Sequence, residues 1–315
     1  MVQEEARRGE RFKAVVLHDA EDVVHHDALR VLDRLTDKFD LVQLPVLPLI
    51  NQQSRWISGH YCDEFAESHG KYLCVREAIG AAVPSAGVGC AFSRNMLDKL
   101  AQAQGGSPFD PNSLTEDYEI GLRIAEYGGR GIFVRMLDNR SQLVCTREHF
   151  PETLPEAIQQ KARWMVGIAL SGWDRLGWHG GISELWMRVR DRRAAFAALI
   201  LFAAYLALLL WTGLTVAEWL GLRAVRPVPP FLEKLLWFNL GLMVWRMAMR
   251  AIFVWRFYGA FQGLLSIPRT LIANYIAIFA AARAVRIYLG LLFGNPLIWD
   301  KTPHRFPADH WEYSA

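Results

Sequence analysis

Three carboxylates fall within four residues at Asp19, Glu21 and Asp22, directly behind the apolar run Phe12–His18. Gathered at a strand end they repel one another unless water or a cation neutralises them. An all-oxygen set with room left for substrate phosphates suits Mg²⁺ or Mn²⁺. In an extended chain Asp19 and Glu21 point the same way while Asp22 points elsewhere, so the first two can share one ion. The plainer reading is a solvated acidic turn with Asp19 capping the next element. His18-Asp19 and His25-His26-Asp27 also raise a metal-dependent phosphohydrolase. Such a site draws histidines and aspartates from several helices, and no matching second cluster follows. His25 and His26 then read as turn residues, with Asp27 as a helix N-cap.

Two further segments carry chemistry. Ser113-Leu114-Thr115-Glu116 fits a capping box, so a helix begins near Thr115 with Glu116 and Asp117 in its first turn. The helix dipole favours an ionised carboxylate there, which suits Asp117 to act as a base near neutral pH. Acids are also ordinary in first turns. Thr153-Leu154-Pro155-Glu156 fits a second capping box, with Pro155 tolerated in the first turn. In the helix that follows, Gln160, Arg163 and Trp164 share one face. A guanidinium holds phosphate oxygens with paired donors, and an indole stacks on a sugar ring. The same face also fits an amphipathic helix with Arg163 and Trp164 at a membrane interface.

These residues need elements to position them. Strands are expected at 12–18, 41–46, 88–93 and 131–134, alternating with helices at 27–36, 54–79 and 115–127. That alternation indicates an α/β sheet domain, in which ligands bind beyond the carboxyl ends of the strands.

The rest of the chain differs in character. Of its 315 residues 52% are hydrophobic and 21% charged, which excludes a disordered chain. The net charge of +3 is unevenly spread. Residues 191–315 carry 13 Lys/Arg against 6 Asp/Glu, and residues 1–190 carry 22 against 26. A mildly acidic polar part argues against a nucleic-acid binder. Four scattered cysteines exclude a disulfide scaffold. Ala194–Ala217 is a run of 24 uncharged residues, long enough to span a bilayer as a helix. Arg188, Arg190, Arg192 and Arg193 precede it, so the positive-inside bias sets the N-terminal part in the cytoplasm. Phe231–Trp255 is a second apolar stretch that can cross the membrane, with Arg246 and Arg250 then facing protein or headgroups. The region from Tyr258 to Ile298 is broken by Pro268, Arg269, Arg283 and Arg286, and is expected to form interfacial or re-entrant helices. The opening MVQEEARRGERF has no signal-peptide pattern.

Taken together, an Asp-x-Asp-like motif after a strand, then Thr-Glu-Asp, then Gln-x-x-Arg-Trp ahead of apolar helices, resembles the processive family-two glycosyltransferases such as cellulose and hyaluronan synthases. LHDAEDVVHH, VPSAGVGCAFSR, LTEDYEIGLRIAEYGGRG and QQKARWMVGIALSGWDRLGW are similar to the bacteriophage adsorption protein B group of that family. The resemblance implies a partial GT-A-type (Rossmann-like) catalytic domain over 1–150. It implies Gln-x-x-Arg-Trp interfacial helices over 151–193, transmembrane and interfacial helices over 194–298, and a cytoplasmic tail over 299–315. It implies that Asp19 and Glu21, or Asp22, hold Mg²⁺ or Mn²⁺ on a nucleotide-sugar donor, a UDP-sugar. Asp117, beside Glu116, would be the general base. Gln160, Arg163 and Trp164 would bind diphosphate and acceptor sugar, with Gly87 and Gly89 near a glycan acceptor. The implied reaction is an inverting displacement at the inner face of a bacterial inner membrane, for exopolysaccharide synthesis, with an outer-membrane export partner. Family members carry further strands and a transmembrane helix ahead of the acidic motif, so an upstream part is expected to be missing. The competing expectation is a glycosyltransferase-like scaffold without turnover.

Overall fold

A computed structural model describes residues 1–224 and 227–296. The expected tail at 299–315 lies outside the described residues. The chain runs α1 (Val2–Arg8), β1 (Ala14–Leu17), β2 (Val23–Val24), α2 (Ala28–Leu35), β3 (Leu41–Gln43), β4 (Val46–Pro48), α3 (Ile57–Glu67), α4 (Leu73–Ala78), β5 (Cys90–Ser93) and α5 (Arg94–Ala103). It continues as α6 (Glu116–Glu126), β6 (Gly131–Phe133), β7 (Thr146–Glu148), α7 (Leu154–Trp164), α8 (Gly172–Leu176), α9 (Ile182–Arg192), α10 (Ala194–Trp219), α11 (Pro230–Tyr258) and α12 (Ala260–Leu292). Single π-helical turns, Ser68–Tyr72 and Met165–Ser171, join α3 to α4 and α7 to α8.

The main sheet has the order β1-β5-β3-β6. β5 is antiparallel to β1 and β3, and β6 is parallel to β3. The carboxyl ends of β1, β3 and β6 therefore meet the start of β5 along one edge. The strand expected over 41–46 divides at Pro45, which has no amide hydrogen with which to continue the ladder. β4 instead joins a second sheet, β2-β7-β4. That sheet was not expected from the sequence, since β2 spans two residues and β7 three. Leu41, Phe92, Leu100, Ile120 and Ile124 pack between the main sheet, α5 and α6. Ala28, Leu32, Val42, Leu44 and Ala91 pack with α2 on the other side.

One expected capping box forms and the other does not. At α7 the Thr153 hydroxyl accepts from the Glu156 amide while the Glu156 carboxylate accepts from the Thr153 amide. At α6 the N-cap is Thr115, and the Ser113 hydroxyl accepts from the Thr115 amide instead of closing a box with Glu116. The Ser113 amide is already committed to a turn with the Asp110 carbonyl, which turns the residue away from the helix start.

α10 and α12 are long and apolar enough to cross a membrane. The expectation of a broken region over 258–298 is corrected in one respect, since α12 runs unbroken through Pro268. Ahead of Pro268, Arg269 Nη2 donates to the Gln262 carbonyl at 2.9 Å and the Ser266 hydroxyl to the Gly263 carbonyl at 2.6 Å. α11 packs on α12 and α3, and its buried Arg250 faces Glu67 of α3 at 3.7 Å.

Candidate functional site

The acidic motif leaves β1 at the shared sheet edge. Asp22 Oδ2 accepts from the Asp19 amide at 3.0 Å and lies 2.9 Å from His18 Nδ1. This local bonding holds the turn closed. Asp22 Oδ1 is buried and carries no hydrogen bond. A fourth carboxyl joins the group from β7. Glu148 is buried, and desolvation followed by the charges of Asp22, Asp19 and Glu21 pushes its carboxyl well above the usual range. No sequence signal marked Glu148, because a lone glutamate in a three-residue strand has no spacing partner. The pairing of β2 with β7, Val23 opposite Arg147, brings it to the motif.

These residues fit a hard divalent cation. The donors are all oxygens, one buried oxygen of Asp22 lacks a partner, and four carboxyls repel one another without a counter-charge. The ligands are not gathered as tightly as a closed metal cage. Among the described residues, His25, His26 and Asp138 form the one group of three such side chains whose ligand atoms lie within 4.8 Å of one another. That group does not rebuild the phosphohydrolase cluster of His18, His25 and Asp27, since His18 is committed to Asp22. Asp138 Oδ1 accepts from the Arg140 and Gln142 amides at 2.8 Å, and Oδ2 faces His25 Nε2 at 3.5 Å. His25 Nδ1 accepts from the Asp27 amide at 3.2 Å, which leaves the ring proton on Nε2, facing the carboxylate. The arrangement is a His–Asp pair joining the turn before α2 to the β6–β7 loop.

The second motif faces the same edge. Asp117 Oδ1 accepts from the Tyr118 amide at 2.7 Å. Its other oxygen abuts the Gly87 turn, where a Cβ would sit 2.7 Å from Asp117 Oδ2. Burial lifts the Asp117 carboxyl to about 6; Glu116 adds to the rise, and the Tyr118 amide and Arg163 oppose it. The helix dipole favours the ionised form here, and desolvation outweighs it in setting the pKa. At neutral pH the carboxylate still predominates and is a stronger base. Glu116 lines a small pocket with Gln104, Pro108, Asp110 and Arg123. The buried Cys90 thiol, pushed up to about 12 chiefly by burial, also feels the charges of both Asp117 and Asp22.

Gly87 and Gly89 have φ of +81° and +61°. A Cβ at Gly89 would lie 2.5 Å from the Thr146 hydroxyl of β7. Gly87→Ala is expected to cost about 1–2 kcal/mol for the left-handed backbone and to displace Asp117 as well. Thermal unfolding would register the first effect and a transfer assay the second. An alanine variant with wild-type turnover would show that the close approach of this turn to Asp117 is dispensable.

The third motif reaches the site through packing. A Cβ at Gly167, in the π-helical turn after α7, would lie 2.3 Å from the Thr115 hydroxyl. This close approach seats the α7 segment on the start of α6. Gln160 is buried with Oε1 lacking a hydrogen-bond partner. The charge of Arg163 reaches Asp117. Trp164 instead joins an aromatic group. Its ring lies 6.2 Å from Tyr61, edge-on, and 6.4 Å from Phe150, with Lys161 Nζ 5.0 Å from its own centroid.

Residues 14–285 match the model of glycosyl transferase family group 2. The chain belongs to that family. It is 39% identical to the bacteriophage adsorption protein B of Escherichia coli K12, over an alignment covering 94% of this chain and 43% of that protein. It is equally similar to the bacteriophage N4 adsorption protein B of Escherichia coli O157:H7. The chain thus spans less than half the length of these relatives.

Proposed function

We propose that this chain is the catalytic segment of a membrane-bound, inverting glycosyltransferase. It would take a nucleotide-sugar donor, a UDP-sugar, and extend a glycan acceptor. The observation that carries the reading is Asp117. One of its oxygens is held by the Tyr118 amide, the other faces the Gly87 turn, and its pKa of about 6 suits a base. Asp117 takes the proton from the acceptor hydroxyl, and that oxygen displaces the nucleoside diphosphate at the anomeric carbon. Arg163 holds the leaving diphosphate by charge-assisted hydrogen bonds. Asp19, Glu21, Asp22 and Glu148 would hold Mg²⁺ or Mn²⁺. When bound, the ion neutralises charge on the diphosphate. Gln160 orients the acceptor from the same helix as Arg163. The apolar helices α10 and α12 anchor the enzyme in the inner membrane, with the α/β part on the cytoplasmic side. Exopolysaccharide synthesis is the biological setting this chemistry fits.

The test is nucleotide release from a panel of UDP-sugars by membranes carrying the protein, with and without Mg²⁺ or Mn²⁺. Release with at least one donor, abolished by chelation, is expected. Folded protein with no release from any donor would favour a scaffold without turnover. Arg163→Ala is expected to raise the donor KM about tenfold or more, the worth of a hydrogen bond to a charged group. An unchanged donor KM would remove Arg163 from the donor site.

A further inference from the structure

α6, which carries Asp117, is tied along its length to the segment that leads into the membrane. Glu126 at its end accepts from Arg188 Nη2 at 2.8 Å, and Glu119 in its first turn accepts from Arg175 Nε at 3.0 Å. Arg175 belongs to α8 and Arg188 to α9. A further tie at the first turn is of another kind. The Tyr118 hydroxyl donates to Asp191 Oδ2 at 2.6 Å, and Arg76 Nη1 of α4 donates to the same oxygen at 2.6 Å. Tyr118, Arg76 and Asp191 are all largely buried. Burial and the neighbouring Asp191 charge raise the Tyr118 hydroxyl well above its usual pKa, so it stays a donor. Arg76 is in turn held by the Ala82 carbonyl, and the Ala82 amide by Glu184 of α9 at 2.8 Å.

Tyr118 therefore bonds in two directions. Its amide holds Asp117 Oδ1, and its side chain is pinned to Asp191. Asp191 stands in the last turn of α9, and Arg193 alone separates α9 from the apolar helix α10. We infer that Asp191 is a positioning residue for Asp117. Through the Tyr118 hydroxyl it sets where the first turn of α6 lies, and so couples the seating of the membrane-entry helix to the aim of the base. No contact with either substrate is implied for Asp191. A shift of the base by about 1 Å is enough to matter, since such a misplacement of a reacting group can cost about a hundredfold in rate.

This inference rests on the reading of Asp117 as the base. Tyr118→Phe is the decisive variant, because it removes one hydroxyl and leaves the Arg76–Asp191 ion pair intact. It should fold as the wild type does. Its kcat for nucleotide release is expected to fall about tenfold or more, with the donor KM unchanged. The acid limb of its pH–rate profile should move toward lower pH as Asp117 gains water, with Glu116 and Arg163 still facing the carboxylate. Asp191→Asn keeps an oxygen for Tyr118 and should fall between wild type and Tyr118→Phe. Tyr118→Phe with unchanged kcat and pH profile, or with a change in donor KM alone, would overturn the inference. Asp117→Asn measured alongside separates the two failures. If that variant keeps its turnover, the reading of the base is wrong and the positioning role falls with it.

Discussion

Asp117→Asn is expected to lower nucleotide release about a thousandfold while leaving the fold intact. A positioned general base contributes roughly 10²–10⁴ in rate, and an amide cannot take the acceptor proton. The substitution keeps the oxygen that accepts from the Tyr118 amide, so the start of α6 loses little. The pH dependence follows from the same group. Burial raises its pKa to about 6, and the active form is the carboxylate. Turnover should therefore fall as pH drops through about 6 and level off above it. Steady-state rates of folded wild-type and variant protein across pH 4.5–8 would check both points. A variant that retains turnover would remove Asp117 from the mechanism.

The second large effect is on stability. Arg269 of α12 and Asp63 of α3 form an ion pair at 2.8 Å, with each side chain only 1% exposed. Gly59 permits the approach, since a Cβ there would lie 2.3 Å from Arg269 Nη1. The pair joins the longest apolar helix to the α/β part. Asp63→Ala leaves the guanidinium buried without its anion, and about 3–5 kcal/mol of stability should be lost. The double replacement Asp63→Leu with Arg269→Met should restore part of it, because paired charges repay little beyond their own desolvation while the Arg269 bond to the Gln262 carbonyl is lost. Denaturant unfolding in detergent of the two variants would test this. Equal stability of Asp63→Ala and wild type would mean that packing alone docks α12 on α3.

Much of the site was legible because its motifs are local. The acids after β1, the Thr-Glu-Asp helix start and the α7 capping box depend on residues within one or two turns of each other. Short-range sterics and hydrogen bonds act at that distance. One local reading still failed where a competing bond intervened. Ser113 was drawn into a turn with Asp110 and formed no box. At Asp117 burial raised the carboxyl against the helix dipole, and the group stays a carboxylate at neutral pH.

The sequence by itself determined the α/β alternation, the order of three chemical motifs and one clear apolar span at α10. Each follows from periodicity or composition along a single segment. Tertiary structure decided what those segments meet. It brought Glu148 to the acidic motif through strands too short to carry a pattern. It aimed Asp117 at Gly87, joined Tyr118 to Asp191 across 73 residues, and carried α12 intact through Pro268. It also turned Trp164 into an aromatic group with Tyr61 and Phe150. Such contacts join residues far apart in the chain. They form only once burial of the shared cores has overcome the entropy of closing the loops between them, and no spacing along one strand or helix encodes them.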